Sequence, residues 1–417
     1  MNRDRQRMAV ENLAIGMYVS ELDRPWIETP FLFQGFHIES VETIDELCEH
    51  CEYVYVDIAQ CDNSIEISRN QHGATSATRA ASSSGTEPEG RAPSDNPIDA
   101  TQRLKAELSS ARRAHATAEE TVRQLFEKIA HGAIVDAETV QASVDPMIDS
   151  IMRNDDAMSW LARMKKKNDY VYDHSISSAV WALIFGKHLG LSRDDLQVLG
   201  TGAIFMDVGK TQIPNELLTK SGALSESEME LMKQHVERGI EIAREIPGLD
   251  ERMLQMIGLH HERYNGTGYP KGLNGSDIPV FAKIAGIVDS YDAMTTPRPY
   301  AQPISTYDAI RQLNKLAGVE FPQELVEQFV QAIGVFPVGT LVELNTGEVG
   351  VVIAQNRVRR LRPKIMLLLD KNKAPLLHEE IVDLRNQLAQ GDGRNSLWIE
   401  CGLTPGDYGI DPSEYYL

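Results

Sequence analysis

The chain of 417 residues carries 41 basic and 61 acidic side chains, a net charge of −20 that argues against a general nucleic-acid coat, which would present a basic face. Its length suggests two or three domains, and a hydrophobic content of 42% suffices for ordinary soluble cores. No run of about 18 consecutive apolar residues offers a membrane span. The opening MNRDRQRMAVENL lacks the apolar stretch of a secretion signal, so the chain is expected to be cytoplasmic.

In chain order, residues 1–66 are expected to form a small α+β accessory or input domain. MYVSEL reads as a strand, SVETIDELCEHC as a helix with Ser40 or Thr43 near its start, and YVYVDI as an alternating strand. Cys48 and Cys51 form a CxxC, but a zinc site needs a second ligand pair at short spacing. With only His50 and Cys61 near, and Cys401 remote, reduced and partly buried thiols are the reading. Residues 67–100 are expected to be a disordered linker. RNQHGATSATRAASSSGTEPEGRAPSDNP (69–97) has almost no large apolar residue with which to offset the entropy of ordering.

Residues 101–334 read as helical. The first helix, 101–131, is long and polar-rich and is expected to be solvated with one apolar edge; a homodimer or signal-transmitting contact is its other reading. In 335–417 the text changes to GTLVELNTGEVGVVIAQN and RPKIMLLLDKN. These are alternating, β-branched and Gly-punctuated, the pattern of hairpins in a small β module of about 335–385 followed by a loose tail. The expected fold class is thus multidomain: a small α+β module, an all-α domain and a small β module.

Among eleven histidines, several fall at helix positions that invite chemistry. His174 opens a helix whose Ile176, Val180, Leu183 and Ile184 follow a 3.6 period. In GAIFMDVGK the apolar stripe of Leu196, Leu199 and Ala203 carries Asp207 inward before a glycine ends the helix, and a buried carboxylate needs a cation, a metal or several donors. His235 lies in a helix introduced by the capping box Ser225 to Glu228. His260 and His261 end MLQMIGLHH, and Asp289 shares an inward face with Ala282, Ala285 and Gly286. Singly, such a histidine is more often an ordinary core or surface residue. Together, at core-facing edges of successive helices, they match the way helical bundles build metal sites, with a donor set suited to iron, manganese or zinc-like ions.

The stretch HHERYNGTGYPKGLNGSDIP (260–279), in which Gly266 and Gly268 permit a tight path and Pro270 fixes its exit, resembles the signature of the HD-GYP family, metal-dependent phosphodiesterases acting on the bacterial second messenger cyclic di-GMP. YVYDHS (170–175) and AKIAGIVDSYDAMTTPRPY are similar to flanking segments of that family, and the likeness covers roughly 165–320. The N-terminal module resembles an uncharacterised domain often placed ahead of HD-GYP domains. The resemblance implies a first metal set of His174, Asp207 and Asp289 and a second of Asp207, His235, His260 and His261, holding iron or manganese, one or two ions per chain. It implies Asp207 and Lys210 as catalytic residues, and Lys210, Arg298, Gly266, Gly268 and Tyr269 on the substrate side.

The chain departs from the family at the histidine of the HD pair, where Met206 stands. A thioether is a soft, neutral ligand, poorly suited to hard divalent iron or manganese. Tyr170 stands where some relatives place a glutamate for a third metal, and Ala301 stands where a basic residue often follows RPY. Two readings follow: a cyclic di-GMP phosphodiesterase with impaired catalysis, or a catalytically inactive module that binds cyclic di-GMP or docks on a signalling protein such as a diguanylate cyclase.

Overall fold

The computed structural model describes residues 5–23, 36–38, 41–58, 61, 97–133, 135–163, 170–298, 301–356, 360–387 and 397–410. Residues 67–96 of the expected linker lie outside the described residues, and its last four, 97–100, begin a helix instead. The chain divides into two compact units, Met1–Pro93 and Ser94–Leu417.

The first unit holds strands β1 (Arg5–Ala9), β2 (Tyr18–Leu22), β3 (Phe36–His37) and β4 (Tyr53–Asp57), in sheet order β1-β4-β2-β3, with one helix, α1 (Val41–His50). All of its pairings are antiparallel. Val54 and Val56 alternate inward from β4 and join Val19, Ile38, Leu47 and Cys51 in one core, so the strands and helix expected from the sequence are present. Cys51 packs in this core as a small hydrophobe, whereas Cys48 is exposed.

The second unit begins with α2 (Pro97–Ala130), followed by α3 (Ala137–Arg153), α4 (Asp155–Arg163), α5 (Tyr170–His188) and α6 (Arg193–Phe205). Next come α7 (Asn215–Leu218), α8 (Glu226–Lys233), α9 (His235–Arg244) and α10 (Glu251–Leu259), then α11 (Val280–Thr295), α12 (Thr306–Leu316) and α13 (Gln323–Ile333). Local signals set several starts. Asp136 accepts from Thr139 N ahead of α3, Ser192 from Asp195 N ahead of α6, and Ser225 and Glu228 form the expected capping box ahead of α8. That box does not introduce the helix of His235. α8 stops at Lys233, and His235 opens the separate α9.

The long α2 has the expected single apolar edge. Leu104, Leu108, Ala111, Ala118, Val122, Leu125 and Ile129 are buried at helical spacing, and the edge packs on α3, α4 and α5. The deeper core is built on α5, α11 and α13, where Trp181, Tyr291, Phe329 and Phe185 meet edge to face at centroid distances of 5.3–5.5 Å. This packing fixes how α5 and α11 lie together, and so where His174 and Asp289 can meet.

The unit ends in a five-stranded antiparallel sheet of order β8-β7-β6-β5-β9. Its strands are β5 (Leu341–Leu344), β6 (Val349–Ala354), β7 (Lys364–Leu369), β8 (Pro375–Asp383) and β9 (Ile399–Leu403). The expected loose tail is corrected by β9, which returns to pair with β5 in the register Leu341 opposite Leu403. The short segment IECGL is only partly buried and carries Cys and Gly, so its alternation is too weak to read from sequence. Among the described residues, no helix is long and apolar enough to cross a membrane.

One buried polar bracket ties α2 to α3. Glu107 accepts from Ser150 Oγ at 2.8 Å and from Arg153 Nε and Nη2 at 2.8 Å each. Glu107→Ala leaves the buried Ser150 hydroxyl and the Arg153 fork without their acceptor, and is expected to cost about 2 kcal/mol. Urea unfolding checks this: the midpoint should fall with the slope unchanged, and an unaltered midpoint would show that α2 is held by its apolar edge alone.

Candidate metal centre

Asp207 organises the site. α6 ends at Phe205 rather than at the glycine, and Asp207, at φ −104 and ψ 11, leads into a tight 3-10 turn, Val208–Gln212. Gly209 is needed inside this turn for a different reason. A Cβ there would stand 1.9 Å from His235 O and 2.5 Å from Gly239 N, so only glycine lets the turn lie against the start of α9. That contact sets Asp207, 1% exposed, directly beside His235.

Each oxygen of Asp207 faces a different group of residues. Oδ1 lies 3.3 Å from His235 Nε2 and 3.8 Å from His260 Nε2. His235 Nδ1 is 2.8 Å from Met232 O, and His260 Nδ1 is 3.0 Å from Ile257 O and 3.1 Å from Met256 O. A carbonyl only accepts, so Nδ1 carries the hydrogen in both rings and each Nε2 presents a lone pair to the carboxylate. Asp207 Oδ1, His235 Nε2 and His260 Nε2 are therefore three buried acceptors facing one another, and none of them makes a hydrogen bond. His261 completes the cluster, its ring 4.1 Å from that of His260 and 5.1 Å from that of His235. With Asp207 these three histidines place their ligand atoms within 4.8 Å of one another. The set fits a divalent cation: it is anionic, rich in imidazole, and three of its facing atoms carry no hydrogen.

Oδ2 faces groups that already satisfy it. Lys210 Nζ donates to it at 2.6 Å, and His174 Nε2 is 3.3 Å away. His174 sits in the second turn of α5 rather than opening it, and its Nε2 is also 3.0 Å from Asp289 Oδ1. His174, Asp207 and Asp289 form a second convergent group within the same 4.8 Å limit. The structure thus brings together all six residues expected as ligands, but bonds the two groups differently.

Electrostatics sharpen the contrast. Burial pushes the Asp207 carboxyl up, yet Lys210 and the neighbouring histidines outweigh it and hold Asp207 well below the usual carboxylate range. Asp289 is likewise held low against its burial, chiefly by His174. Burial pushes His235 down to about 4, against the pull of Asp207. Burial also lowers His260, and it lowers His261 further, aided by the charge of His260. At neutral pH the carboxylates are ionised and these three imidazoles neutral, which is the state a metal requires.

Among the residues expected on the substrate side, Tyr269 stacks on His261 at 4.6 Å and an interplanar angle of 22°. Gly268 makes the loop possible, because a Cβ there would lie 2.3 Å from Arg263 N and 2.5 Å from His261 O. Gly266 adopts φ +78, and Tyr269–Pro270 is a cis peptide. Both glycines shape the backbone that delivers Tyr269 to His261. Arg298 pairs with Ala301 through Arg298 N to Ala301 O at 3.0 Å and Ala301 N to Arg298 O at 3.3 Å, and its charge is felt by Lys210.

Two residues were missed from the sequence. Asp292, fully buried, takes His174 Nδ1 at 2.7 Å and accepts from Trp181 Nε1 at 3.2 Å and Thr296 Oγ1 at 3.0 Å, so it anchors His174 from behind. Its signal was its place three residues after Asp289 on one helix face. Glu262 brackets the glycine-rich loop by accepting from Lys271 N at 2.7 Å and Leu273 N at 2.8 Å. Its only sequence cue was adjacency to the histidine pair.

Residues 154–325 match the HD domain, residues 5–140 a domain of unknown function (DUF3391), and residues 341–390 a KOW domain associated with the HD domain. The chain is 28% identical over 381 residues to a cyclic di-GMP phosphodiesterase of Pseudomonas aeruginosa, covering 91% of this chain and 89% of that protein. It is 35% identical over 146 residues to a cyclic di-GMP phosphodiesterase of Thermotoga maritima, covering 35% of this chain and 40% of that one. It is 34% identical over 143 residues to a 3'3'-cGAMP-specific phosphodiesterase of Vibrio cholerae, covering 34% of this chain and 27% of that one.

The buried histidines imply a pH dependence. In the unfolded chain they titrate near pH ~6.5, whereas His235 titrates at about 4 in the fold. Between these values the unfolded state binds more protons, so lowering the pH favours unfolding. Chelator-treated protein is expected to lose stability as pH falls from about 6.5 to about 5, by up to about 1.4 kcal/mol per pH unit from His235, with His260 and His261 acting in the same direction. Denaturant titrations at several pH values check this. His235→Asn should flatten the profile, and a wild-type profile already flat would mean that the histidines are not held neutral.

Proposed function

The chain belongs to the HD-GYP family, with Met206-Asp207 in place of the HD pair, and from that premise we propose that its helical domain is a metal-dependent phosphodiesterase acting on cyclic di-GMP with impaired turnover. The observation that carries this reading is the trio of buried, hydrogen-free acceptors Asp207 Oδ1, His235 Nε2 and His260 Nε2. Packing three such atoms together is costly unless a cation joins them. With His261 they would hold one divalent ion, which when bound supplies Lewis acidity toward a phosphodiester oxygen. The cyclic di-GMP assignment follows from the substrates named for the relatives in Pseudomonas aeruginosa and Thermotoga maritima.

The chain's own residues supply the rest. Asp207 stays ionised and holds its two oxygens toward different neighbours. Asp292 and Trp181 keep His174 turned toward Asp207 and Asp289. Tyr269, flat against His261, walls the site on the side of the glycine-rich loop. Arg298 brings a positive charge near Lys210 and suits a substrate phosphate.

Turnover is impaired in this reading because Met206, wholly buried, stands where the family places an imidazole. The same burial favours the second reading, a module that binds cyclic di-GMP or a signalling partner without hydrolysing it, since methionine packs a core well.

The test is metal content and hydrolysis measured on one anaerobic preparation. About one ion per chain is expected, lost in His235→Ala and His260→Ala but kept in His174→Ala, with slow linearisation of cyclic di-GMP. Two tightly held ions per chain, both lost in His174→Ala, would overturn the one-ion reading. Binding of cyclic di-GMP with no hydrolysis in manganese or ferrous iron would favour the non-catalytic module.

Met206→His should add an imidazole to the His174 group at a packing cost on the order of 1 kcal/mol. It is expected to raise hydrolysis about tenfold, equivalent to about 1.4 kcal/mol off the barrier. An unchanged rate together with an unchanged metal count would show that position 206 does not limit the centre.

A further inference from the structure

We propose that the sheet of the N-terminal unit carries a nucleotide-binding face of its own, on which Arg7, Tyr53 and Tyr55 take a guanine base and a phosphate of cyclic di-GMP. The identity of the nucleotide rests on the reading of the helical domain as acting on cyclic di-GMP; the face itself supplies the stacking surface and the charge. The alternation of β4 sorts its side chains. Val54 and Val56 enter the core with Leu47 of α1, which leaves Tyr53 and Tyr55 on the opposite face. The antiparallel register sets Arg7 of β1 directly across from Tyr55, on that same face. Tyr18 of β2 falls there too, because Val19 after it points into the core. Among the described residues of this unit, α1 is the α-helix, and it packs on the valine face. The tyrosine face has no described helix of the unit over it.

These side chains suit a flat, anionic ligand. The Arg7 guanidinium carbon lies 3.6 Å from the centre of the Tyr53 ring, and Tyr55 meets Tyr53 edge-on, with centroids 5.8 Å apart and planes at 82°. The electron-rich face of the tyrosine holds the cation. Arg7 is therefore positioned before any ligand arrives, which lowers the entropy lost on binding. It is exposed, and among the described residues its guanidinium has no hydrogen bond and no carboxylate partner. A guanidinium backed by an aromatic ring presents its outer plane to a base and its N–H fork to a phosphate. The acidic groups nearby are turned elsewhere. Asp57 is 7% exposed, Asp23 accepts from the backbone N–H groups of Glu52 and Tyr53, and Glu52 has the parity of Val54, away from the tyrosines. The accessible charge of the described side chains beside Tyr53 and Tyr55 is thus positive, in a chain whose net charge is −20. That local sign favours a phosphate ester over the neutral or acidic surface of a second copy of this chain.

The experiment uses the full chain, treated with chelator so that cyclic di-GMP is not turned over, and follows hydrogen–deuterium exchange peptide by peptide as the nucleotide is added. Exchange is expected to slow in the peptides of β1 and β4 with cyclic di-GMP, and to stay unchanged with inorganic phosphate alone. The affinity read on those peptides is expected to fall about tenfold in Arg7→Gln and in Tyr53→Leu, the loss that one stacked base represents. Arg7→Gln alters an exposed side chain and carries the test alone should Tyr53→Leu fail to fold. Protection confined to peptides of the helical domain overturns the N-terminal site and leaves the phosphodiesterase reading intact. Protection of β1 and β4 that is the same in wild type and folded Arg7→Gln also overturns it, since Arg7 and Tyr53 would then be a cross-strand support only. Slow exchange there that grows with protein concentration in the absence of nucleotide would make the face a contact between copies and overturn it as well. Arg7-dependent protection of the sheet in a chain whose metal-loaded helical domain neither binds nor hydrolyses cyclic di-GMP would uphold the site while overturning the phosphodiesterase reading.

Discussion

A carboxylate with 1% of its surface exposed is the constraint around which the helical domain is arranged. Removing an ionised Asp from water costs several kcal/mol unless its oxygens find donors or cations. Four elements answer that demand. α5 brings His174, the 3-10 turn brings Lys210, α9 brings His235, and the end of α10 brings His260. The answer is lopsided, since Oδ2 is bonded and Oδ1 is not. A fold selected only for stability would close both sides or use an apolar residue. The Oδ1 side is lined by lone pairs, an arrangement suited to a cation rather than to a hydrogen bond.

What holds these elements close enough is backbone contact. The turn after Asp207 lies against α9 because Gly209 has no Cβ to strike His235 O, and the loop after His261 folds back on residues 261–263 because Gly268 has none either. Two glycines therefore serve positioning: Gly209 fixes Asp207 against His235, and Gly268 of the glycine-rich loop brings Tyr269 onto His261. Glu262 then secures the same loop through two backbone N–H groups, which converts a glycine-rich and entropically loose segment into a fixed wall.

Much of this was legible in the sequence, and the reasons differ by residue. The inward position of Asp207 followed from the stripe of Leu196, Leu199 and Ala203, even though the helix ends two residues before the acid. Asp289 followed from its small-residue face. The two ligand groups followed from the family resemblance, which carried each histidine by its place in a motif. Periodicity could not give the break between α8 and α9, because Gln234 between them keeps right-handed helical dihedrals and leaves no interruption in the pattern. Nor could it single out Asp292, whose importance comes from Trp181 on another helix, a partner 111 residues away in sequence. Long-range hydrogen bonds leave no local trace, and β9 escaped for the same reason, since its pairing with β5 lies in the partner strand rather than in its own composition.

The two halves of the centre show how one side chain type is held in different ways according to what stands behind it. His235 and His260 are backed by carbonyls, which fix the hydrogen on Nδ1 and leave Nε2 as a donor of electrons. His174 stands between Asp292 on one ring nitrogen and Asp289 on the other. Its ring is thus held by carboxylates rather than by backbone carbonyls. Beside it Lys210 contributes a positive charge to Asp207, and Met206 contributes no charge and no strong lone pair. On one side of Asp207 the carboxylate is met by His174 and Lys210, and on the other by lone pairs of His235 and His260.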